Sequence, residues 1–194
     1  MSAQQEHNIF SGGFATPALD AAHGFRAAMQ AMARPGSRHE VAGAHPPGGI
    51  SVAAGVLLLT LCDPETGIYL ARDVDSQPLR EWIAFHTGAP IVSAQLATFA
   101  LGSWDALMPL DHFRIGTAEY PDRSATLIVE MPSVMPVNAS LTGPGIKERA
   151  EMTLPDLAAC QGNAMLYPLG VDFFFTCGSE LTALPRSTTI LAKD

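Results

Sequence analysis

The chain has 194 residues, of which 47% are hydrophobic and only 15% are charged, and its formal net charge is -8 at pH 7. A chain of this length forms one well-buried domain rather than two, and its acidic balance excludes broad electrostatic binding of nucleic acid. The low share of charged residues leaves little material for a fully solvated surface, so we expect a partner to cover part of the exterior.

The cysteines, the first residues and the apolar runs of the chain together indicate in which cellular compartment the protein lies. Cys62, Cys160 and Cys177 are widely separated, which argues against a disulfide framework and an iron-sulfur cluster. Residues 1–13 lack the basic start and apolar stretch of a secretory signal, and the longest apolar run is too short to span a bilayer. We therefore expect a cytoplasmic protein without membrane contact, in which residues 1–15 form a flexible tail and residues 16–194 form one domain.

The first predicted helix begins at Thr16 and Pro17, which supply a hydroxyl cap and a proline at the first helical position. It ends at Arg34, because Pro35 cannot continue a helix. The spacing of its apolar residues predicts that one face is buried; this face consists of Ala18, Ala21, Ala22, Phe25, Ala28, Met29 and Met32.

The rest of the chain alternates between helices and short apolar strands. Residues 50–62 are apolar all round, which indicates a buried central helix, with a strand in the second half as the alternative. Further helices are predicted over 77–87 and 154–160, and strands over 67–71, 97–101, 127–131, 171–176 and 181–184, the last as the terminal strand. Pro132 and Pro136 place a loop before the 139–141 segment. This alternation predicts an α/β fold, a single layered domain with a mixed sheet flanked by helices.

The end of the first helix carries the first candidate for ligand binding. Arg34 and Ser37, with Arg38, surround Gly36. A guanidinium matches two oxygens of a phosphonate or phosphate in a fork, so these residues are candidates for an anion clamp. The alternative is structural, since an arginine at a helix end also satisfies the last carbonyls.

A glycine-rich turn is the second candidate. Thr142, Gly143 and Gly145 surround Pro144, and such turns can direct backbone amides at an anion. The same composition also marks an ordinary tight turn. The Walker pattern is absent from the sequence, which argues against independent ATP binding by a P-loop.

The segment near the end of the chain is the third candidate. Arg186 and Thr188, together with Ser187 and Thr189, combine one guanidinium with three hydroxyls. This combination suits oxyanion recognition, and it equally suits an edge strand that docks on a neighbouring subunit.

Titratable side chains add one candidate and exclude a metal motif. His86 lies at the end of a predicted helix, where it can cap carbonyls or exchange protons. Asp172 enters a very apolar strand, so it either pairs with a specific group or acts as a carboxyl with a raised pKa. The histidines show no zinc-hydrolase spacing, and we predict no metal site.

Five sequence phrases, in this order, carry a resemblance to a known family. They are Phe25 to Gly36, Phe85 to Pro90, Leu141 to Ile146, Tyr167 to Asp172 and Leu184 to Thr189. Together they resemble the H subunit of the bacterial carbon-phosphorus lyase system, the PhnH family of phosphonate metabolism. The resemblance extends from about Asp20 to Ile190.

The resemblance implies a fold similar to pyridoxal-phosphate-dependent transferases, but without the cofactor. The residues agree, because Lys147 stands in a polar stretch and Lys193 in the terminal segment, whereas a Schiff-base lysine must be desolvated or otherwise tuned. The implied partners are a second copy, as a homodimer, and the G, I and J subunits of the core complex. No cofactor is expected.

The function implied by the resemblance is organic phosphonate catabolism. The family supports, with the G, I and L subunits, the formation of ribose 1-phosphonate 5-triphosphate from ATP and a phosphonate. A catalytic role of its own stays open, and a structural or binding role fits the sequence better. The alternatives are a small-anion module that binds a phosphonate or ribose phosphate through Arg34, Arg186 and the 142–145 turn, and a pyridoxal-phosphate transferase.

Overall fold

A computed structural model describes residues 10–133 and 136–193 of the chain. Its helices are α1 (Pro17–Ala33), α2 (Val52–Leu61), α3 (Gln77–Thr87), α4 (Trp104–Leu107) and α5 (Leu157–Ala164). Its strands are β1 (His39–Glu40), β2 (Ile68–Leu70), β3 (Phe99–Ser103), β4 (Thr126–Glu130), β5 (Ala139–Thr142), β6 (Ala150–Met152), β7 (Asp172–Cys177), β8 (Glu180–Leu184) and β9 (Thr189–Ala192).

The larger sheet has six strands in the order β1-β8-β7-β4-β3-β2. Strands β2, β3, β4 and β7 are parallel, whereas β8 and β1 join the sheet in antiparallel fashion. Its central strands are buried on both faces, as expected for parallel strands covered by helices. The predicted α/β fold with a mixed sheet flanked by helices is confirmed.

A second sheet was not expected from the sequence. It has three antiparallel strands in the order β6-β5-β9, and the register pairs Thr142 with Thr189. The predicted terminal strand at 181–184 corresponds to β8, but β9 follows it. That part of the prediction was wrong, because the four residues of β9 show too short a pattern to stand out in the sequence.

The larger sheet separates two apolar layers. Side chains alternate along its strands, so Ile128 and Phe174 face the layer of α1, α2 and α3, while Leu127 and Phe173 face the other layer. Helix α2 contacts α1, α3 and β7, which explains why its sequence is apolar all round. The helical interpretation of residues 50–62 is confirmed, and the strand alternative is wrong.

Helix α1 has the predicted extent but not the predicted buried face. Its buried residues are Gly24, Ala28 and Ala31, whereas Phe25 and Met29 are more than half exposed. The cause is close packing against α2: a β-carbon added at Gly24 would lie 2.6 Å from the hydroxyl oxygen of Thr60. A glycine therefore sets which side of α1 meets α2.

The N-terminal cap of α1 also differs from the prediction. The Thr16 hydroxyl makes no capping hydrogen bond, and instead the Thr16 amide donates to the carboxylate of Asp20 at 2.7 Å. An acidic group in the first turn is favourable there, because the helix N-terminus carries a partial positive charge.

The predicted flexible tail, residues 1–15, is partly packed. The Phe10 ring meets Phe85 edge-on at 4.8 Å, and the carbonyl of Ser11 accepts a hydrogen bond from the Trp82 indole. The carbonyl of Gly12 accepts the His45 amide at 2.8 Å. Residues 10–13 therefore contact the folded domain, residues 1–9 lie outside the described part, and the boundary at residue 15 stays a prediction.

Candidate functional site

The Thr142 to Gly145 turn lies where three separated candidate segments meet. Gly145 packs on the end of α1, so that an added β-carbon would be 1.9 Å from the carbonyl oxygen of Ala33. Gly143 packs on the backbone of Ser187 and Thr188. Both glycines have positive φ angles, of 80° for Gly145 and 128° for Gly143, which explains the glycine-rich sequence. The turn thus serves as a close-packed junction.

At the end of α1, Ser37 is engaged within its own turn. Its hydroxyl donates to the carbonyl of Arg34 at 2.7 Å and lies 2.8 Å from Nε2 of His39. Burial lowers the pKa of His39, and the charge of Arg34 lowers it further. Among the described residues Arg34 forms no ion pair, so its exposed guanidinium is available to an anion or a partner.

Arg186 is held by its own chain. Its guanidinium forms a two-point pair with the Asp172 carboxylate, with Nη2 at 2.5 Å and Nε at 3.1 Å. Nη1 donates to the carbonyls of Pro121 and Gly170, at 2.8 and 2.9 Å. Four of the five N–H groups are therefore used. This geometry favours a structural role for Arg186 and gives Asp172 its specific partner.

Thr188 lines a cavity between α5 and the 186–190 segment. The cavity has a volume of about 540 Å³. Thr188 is 2% exposed, and its hydroxyl has no hydrogen-bond partner in the described part of the chain. Other polar residues line the same cavity; they are Gln161, Tyr167, Arg186, Ser187 and Thr189. Sequence reasoning missed Gln161 and Tyr167, since neither belongs to a recognisable motif.

His86 lies away from these segments, on α3. Its ring packs between the rings of Trp82 and Phe85, with centroid distances of 5.1 Å and 4.9 Å, and Gly13 lies against it. Nε2 is buried without a hydrogen-bond partner among residues 10–133 and 136–193. The helix end is satisfied by other groups, because the Gly88 amide donates to the carbonyl of Ala84. The structure therefore does not bring His86 to the other candidates.

Glu130 is a partly buried carboxylate that sequence reasoning also missed. Its Oε1 accepts the amide of Ser51 at 2.8 Å, just before α2 begins. Burial raises the pKa of Glu130, and the charge of Asp73 adds to this, while hydrogen bonds from Ser51 and Thr176 oppose it. Ser51, just before the apolar run, could be predicted from the sequence as a helix cap. Its distant hydrogen-bond acceptor, Glu130, could not be predicted in this way.

Glu130 lines a second cavity at the carboxyl ends of β3 and β4, of about 680 Å³. Asp105 lines the same cavity, together with Trp104 and Leu154, and the described residues of its lining include no lysine, arginine or histidine. Two carboxylates disfavour a phosphonate or phosphate in this cavity. The two cavities therefore differ in the charge that they tolerate.

The lysines do not fit a pyridoxal-phosphate site. Lys147 is exposed in the loop after β5, and Lys193 is exposed and paired with Glu151 at 2.7 Å. A Schiff-base lysine needs a desolvated or otherwise tuned amine, whereas both of these lysines are exposed. Within the described residues, no group of three or more histidine, cysteine, aspartate or glutamate side chains is placed to hold a metal ion.

The fold and the cavities thus define an α/β protein with a mixed sheet, a cavity lined by Ser187, Thr188 and Thr189, and a cavity lined by Asp105 and Glu130. A family model for the bacterial phosphonate metabolism protein (PhnH) matches residues 12–191. The chain therefore belongs to the PhnH family, as the sequence phrases indicated.

Two relatives support this assignment. The chain is 38% identical over 200 residues to the alpha-D-ribose 1-methylphosphonate 5-triphosphate synthase subunit PhnH of Rhizobium meliloti (strain 1021), with 98% of each chain covered. It is 29% identical over 113 residues to the putative C-P lyase subunit protein HtxG of Stutzerimonas stutzeri, which covers 55% of this chain and 57% of the relative.

Proposed function

We propose that this chain is a subunit of the bacterial complex that forms ribose 1-methylphosphonate 5-triphosphate from ATP and a phosphonate. The observation that carries the proposal is the 38% identity, over 98% of both chains, to a relative that bears this subunit's name. The G, I and L subunits take part with it in this reaction. The three free cysteines suit a reducing cytoplasm, where we place the complex.

The contribution of the chain is to bind and position its partners rather than to catalyse. The guanidinium of Arg186 is occupied by Asp172, and the lysines are exposed. His86 lies apart from the other candidates and packs against Trp82 and Phe85. These arrangements do not supply a nucleophile with an adjacent base, which covalent catalysis requires. We also propose that the chain shares its fold with pyridoxal-phosphate-dependent transferases but does not bind their cofactor.

The outer face of α1 is the proposed contact in a homodimer. Three large apolar side chains on this helix are each more than half exposed, those of Leu19, Phe25 and Met29. The charged side chain of Arg26 is exposed next to Phe25. Phe25 lies at the middle of Pro17–Ala33, so a two-fold axis near it would place the two Phe25 rings side by side. Burial of these side chains in a second copy would remove an apolar face from water.

The test is purification of the tagged full-length chain from its own cell extract. We expect the G, I and J subunits to co-purify, and light scattering of the isolated chain to give the mass of a dimer. Phe25→Glu should shift that mass to a monomer, whereas Leu96→Glu, a change at a side chain that is 66% exposed elsewhere, should not. A stable monomer that recovers none of the three subunits would contradict the proposal.

A further inference from the structure

The segment that follows α1 and the segment that follows β5 lie against each other. Gly145, after β5, packs on the carbonyl group of Ala33 at the end of α1. A few residues further along both segments, a β-carbon added at Gly36 would lie 3.1 Å from the β-carbon of Ala150. The two backbones therefore run side by side, and the exposed side chains that they carry share one surface of the molecule.

This shared surface is positively charged. Four exposed cations lie on it and are called here the cationic face; they are Arg34, Arg38, Lys147 and Arg149. Residues 33–38 and 145–150 contain one acidic residue, Glu148. The chain as a whole has the opposite balance, with 19 acidic residues against 11 basic ones. The cationic face therefore concentrates positive charge on an otherwise acidic molecule.

Most of these cations do not hold the fold together. The ion pairs formed within residues 10–133 and 136–193 do not include Arg34, Lys147 or Arg149. The acidic residue that follows the face, Glu151, is already paired with Lys193 at 2.7 Å. The three cations are therefore available to another molecule, and their side chains can pair with it without breaking a salt bridge of the described chain.

The shape of the face indicates which kind of anion it can meet. The cavity that Gly36 and Arg38 help to line has a volume of about 10 Å³, which is room for one water molecule. A small anion therefore cannot be enclosed there. An acidic protein surface can instead meet several exposed cations at once. Nucleic acid is disfavoured, because the net charge of -8 repels an extended polyanion beyond this face.

We propose that the cationic face docks an acidic segment of another protein subunit in the phosphonate-processing complex. Charge complementarity between the face and such a segment carries the proposal. The identity of the complex rests on the proposed function. The face begins about 13 Å along α1 from Phe25, the centre of the proposed homodimer contact, so docking and dimer formation can be measured separately.

The experiment purifies the tagged full-length chain from its own cell extract, either native or with Lys147→Glu/Arg149→Glu. Both positions are exposed, so the variant should fold and keep the mass of a dimer in light scattering. We expect its recovery of at least one of the G, I and J subunits to fall about tenfold at about 50 mM NaCl. The deficit should shrink at about 500 mM NaCl, because salt screens exposed charges.

Two further variants separate the face from net charge and from folding. Arg72→Glu/Arg123→Glu makes the same change in net charge at exposed positions elsewhere, and its recovery should equal that of the native chain. Lys147→Arg/Arg149→Lys keeps both charges of the face and should also recover the subunits normally. A loss in either variant as large as that of Lys147→Glu/Arg149→Glu would overturn the inference, and so would normal recovery by Lys147→Glu/Arg149→Glu itself.

The remaining outcomes distinguish this inference from the proposed function. A native chain that recovers none of the three subunits would refute the proposed function, and this inference with it. Subunit recovery that is insensitive to the charge of the face would refute this inference alone. Binding of a labelled single-stranded RNA by the isolated native chain, lost in Lys147→Glu/Arg149→Glu, would assign the face to nucleic acid and would also overturn the inference.

Discussion

The guanidinium of Arg186 joins segments that are far apart in the sequence. It contacts Asp172 on β7 and the carbonyls of Pro121 and Gly170. The two charged side chains are only 13% and 20% exposed. In such a site the pair is already desolvated, so removal of one member leaves the other charge uncompensated.

We therefore expect Arg186→Ala to lower the free energy of unfolding by about 3 kcal/mol, measured by urea denaturation. Arg80→Ala is the control, because Arg80 pairs with Asp75 in the same two-point manner but on the surface. Its effect should be much smaller. Equal losses in the two variants would show that burial does not matter to the Arg186 pair.

Glu130 predicts a pH dependence of stability. Because burial raises its pKa above the ordinary 4.5, the folded protein holds this proton more tightly than the unfolded chain does. The contribution of Glu130 to stability is therefore present at pH values below 4.5 and is lost as the pH rises through the folded pKa.

Glu130→Gln should remove this loss, since a neutral amide oxygen can still accept the Ser51 amide. We expect the variant to be more stable than the native chain at pH 7, with the difference shrinking as the pH falls towards 4.5. Thermal unfolding across this range measures it, with Glu119→Gln as an exposed control. A difference that grows on acidification would contradict the assignment.

At the scale of secondary-structure elements, the Gly145 contact with α1 is the tightest junction of the candidate site. Gly145→Ala should destabilise the chain by at least about 2 kcal/mol, because alanine disfavours a φ of 80° and its β-carbon would overlap the Ala33 carbonyl. Gly162→Ala is the opposite case. It lies within α5 with open space around it, so it should stabilise by about 0.5–1 kcal/mol. Chemical denaturation of both variants checks the pair.

Secondary-structure elements were predicted well from the sequence where a proline or a glycine marks their ends. The bounds of α3, residues 77–87, agree with the structure because Pro78 starts the helix and Gly88 ends it. Helix α5 was predicted at 154–160 but spans Leu157–Ala164, since its cap is the Asp156 side chain. Short strands such as β1 and β6 were missed, because two or three residues carry no periodicity.

The candidate site was predictable only in part. Arg186 and Thr188 stood out as residue types, but their roles depend on neighbours that the sequence does not show. Asp172 neutralises the arginine, and α5 closes the cavity beside the threonine. Glu130 escaped notice because its partner Ser51 is 79 positions away. Pairings of this kind arise from topology and not from local pattern.

At the scale of the whole molecule, the reactivity of the cysteine thiols measures whether the two apolar layers stay closed to solvent. Burial, followed by the charges of Asp63 and Asp156, raises the pKa of Cys62 and of Cys160 to about 12. Cys177 is partly exposed at the end of β7. Because the thiolate is the reactive form, the buried thiols should be inert in the native chain.

We expect a maleimide to modify the native chain once, at Cys177, and the urea-unfolded chain three times, as counted by intact-mass spectrometry. Cys177→Ser should reduce native labelling to zero. Rapid native labelling of Cys62 or Cys160 would show that the layer containing that cysteine opens without global unfolding.

The position of β9 affects how the protein matures. The second sheet takes its outer strand from residues 189–192, and this strand hydrogen-bonds to β5, which is made much earlier. During synthesis β5 and β6 must therefore wait as an unfinished hairpin with an exposed edge until residues 189–192 have been made. A chain truncated before residue 189 would lack this closing strand, and such a product should be prone to aggregation.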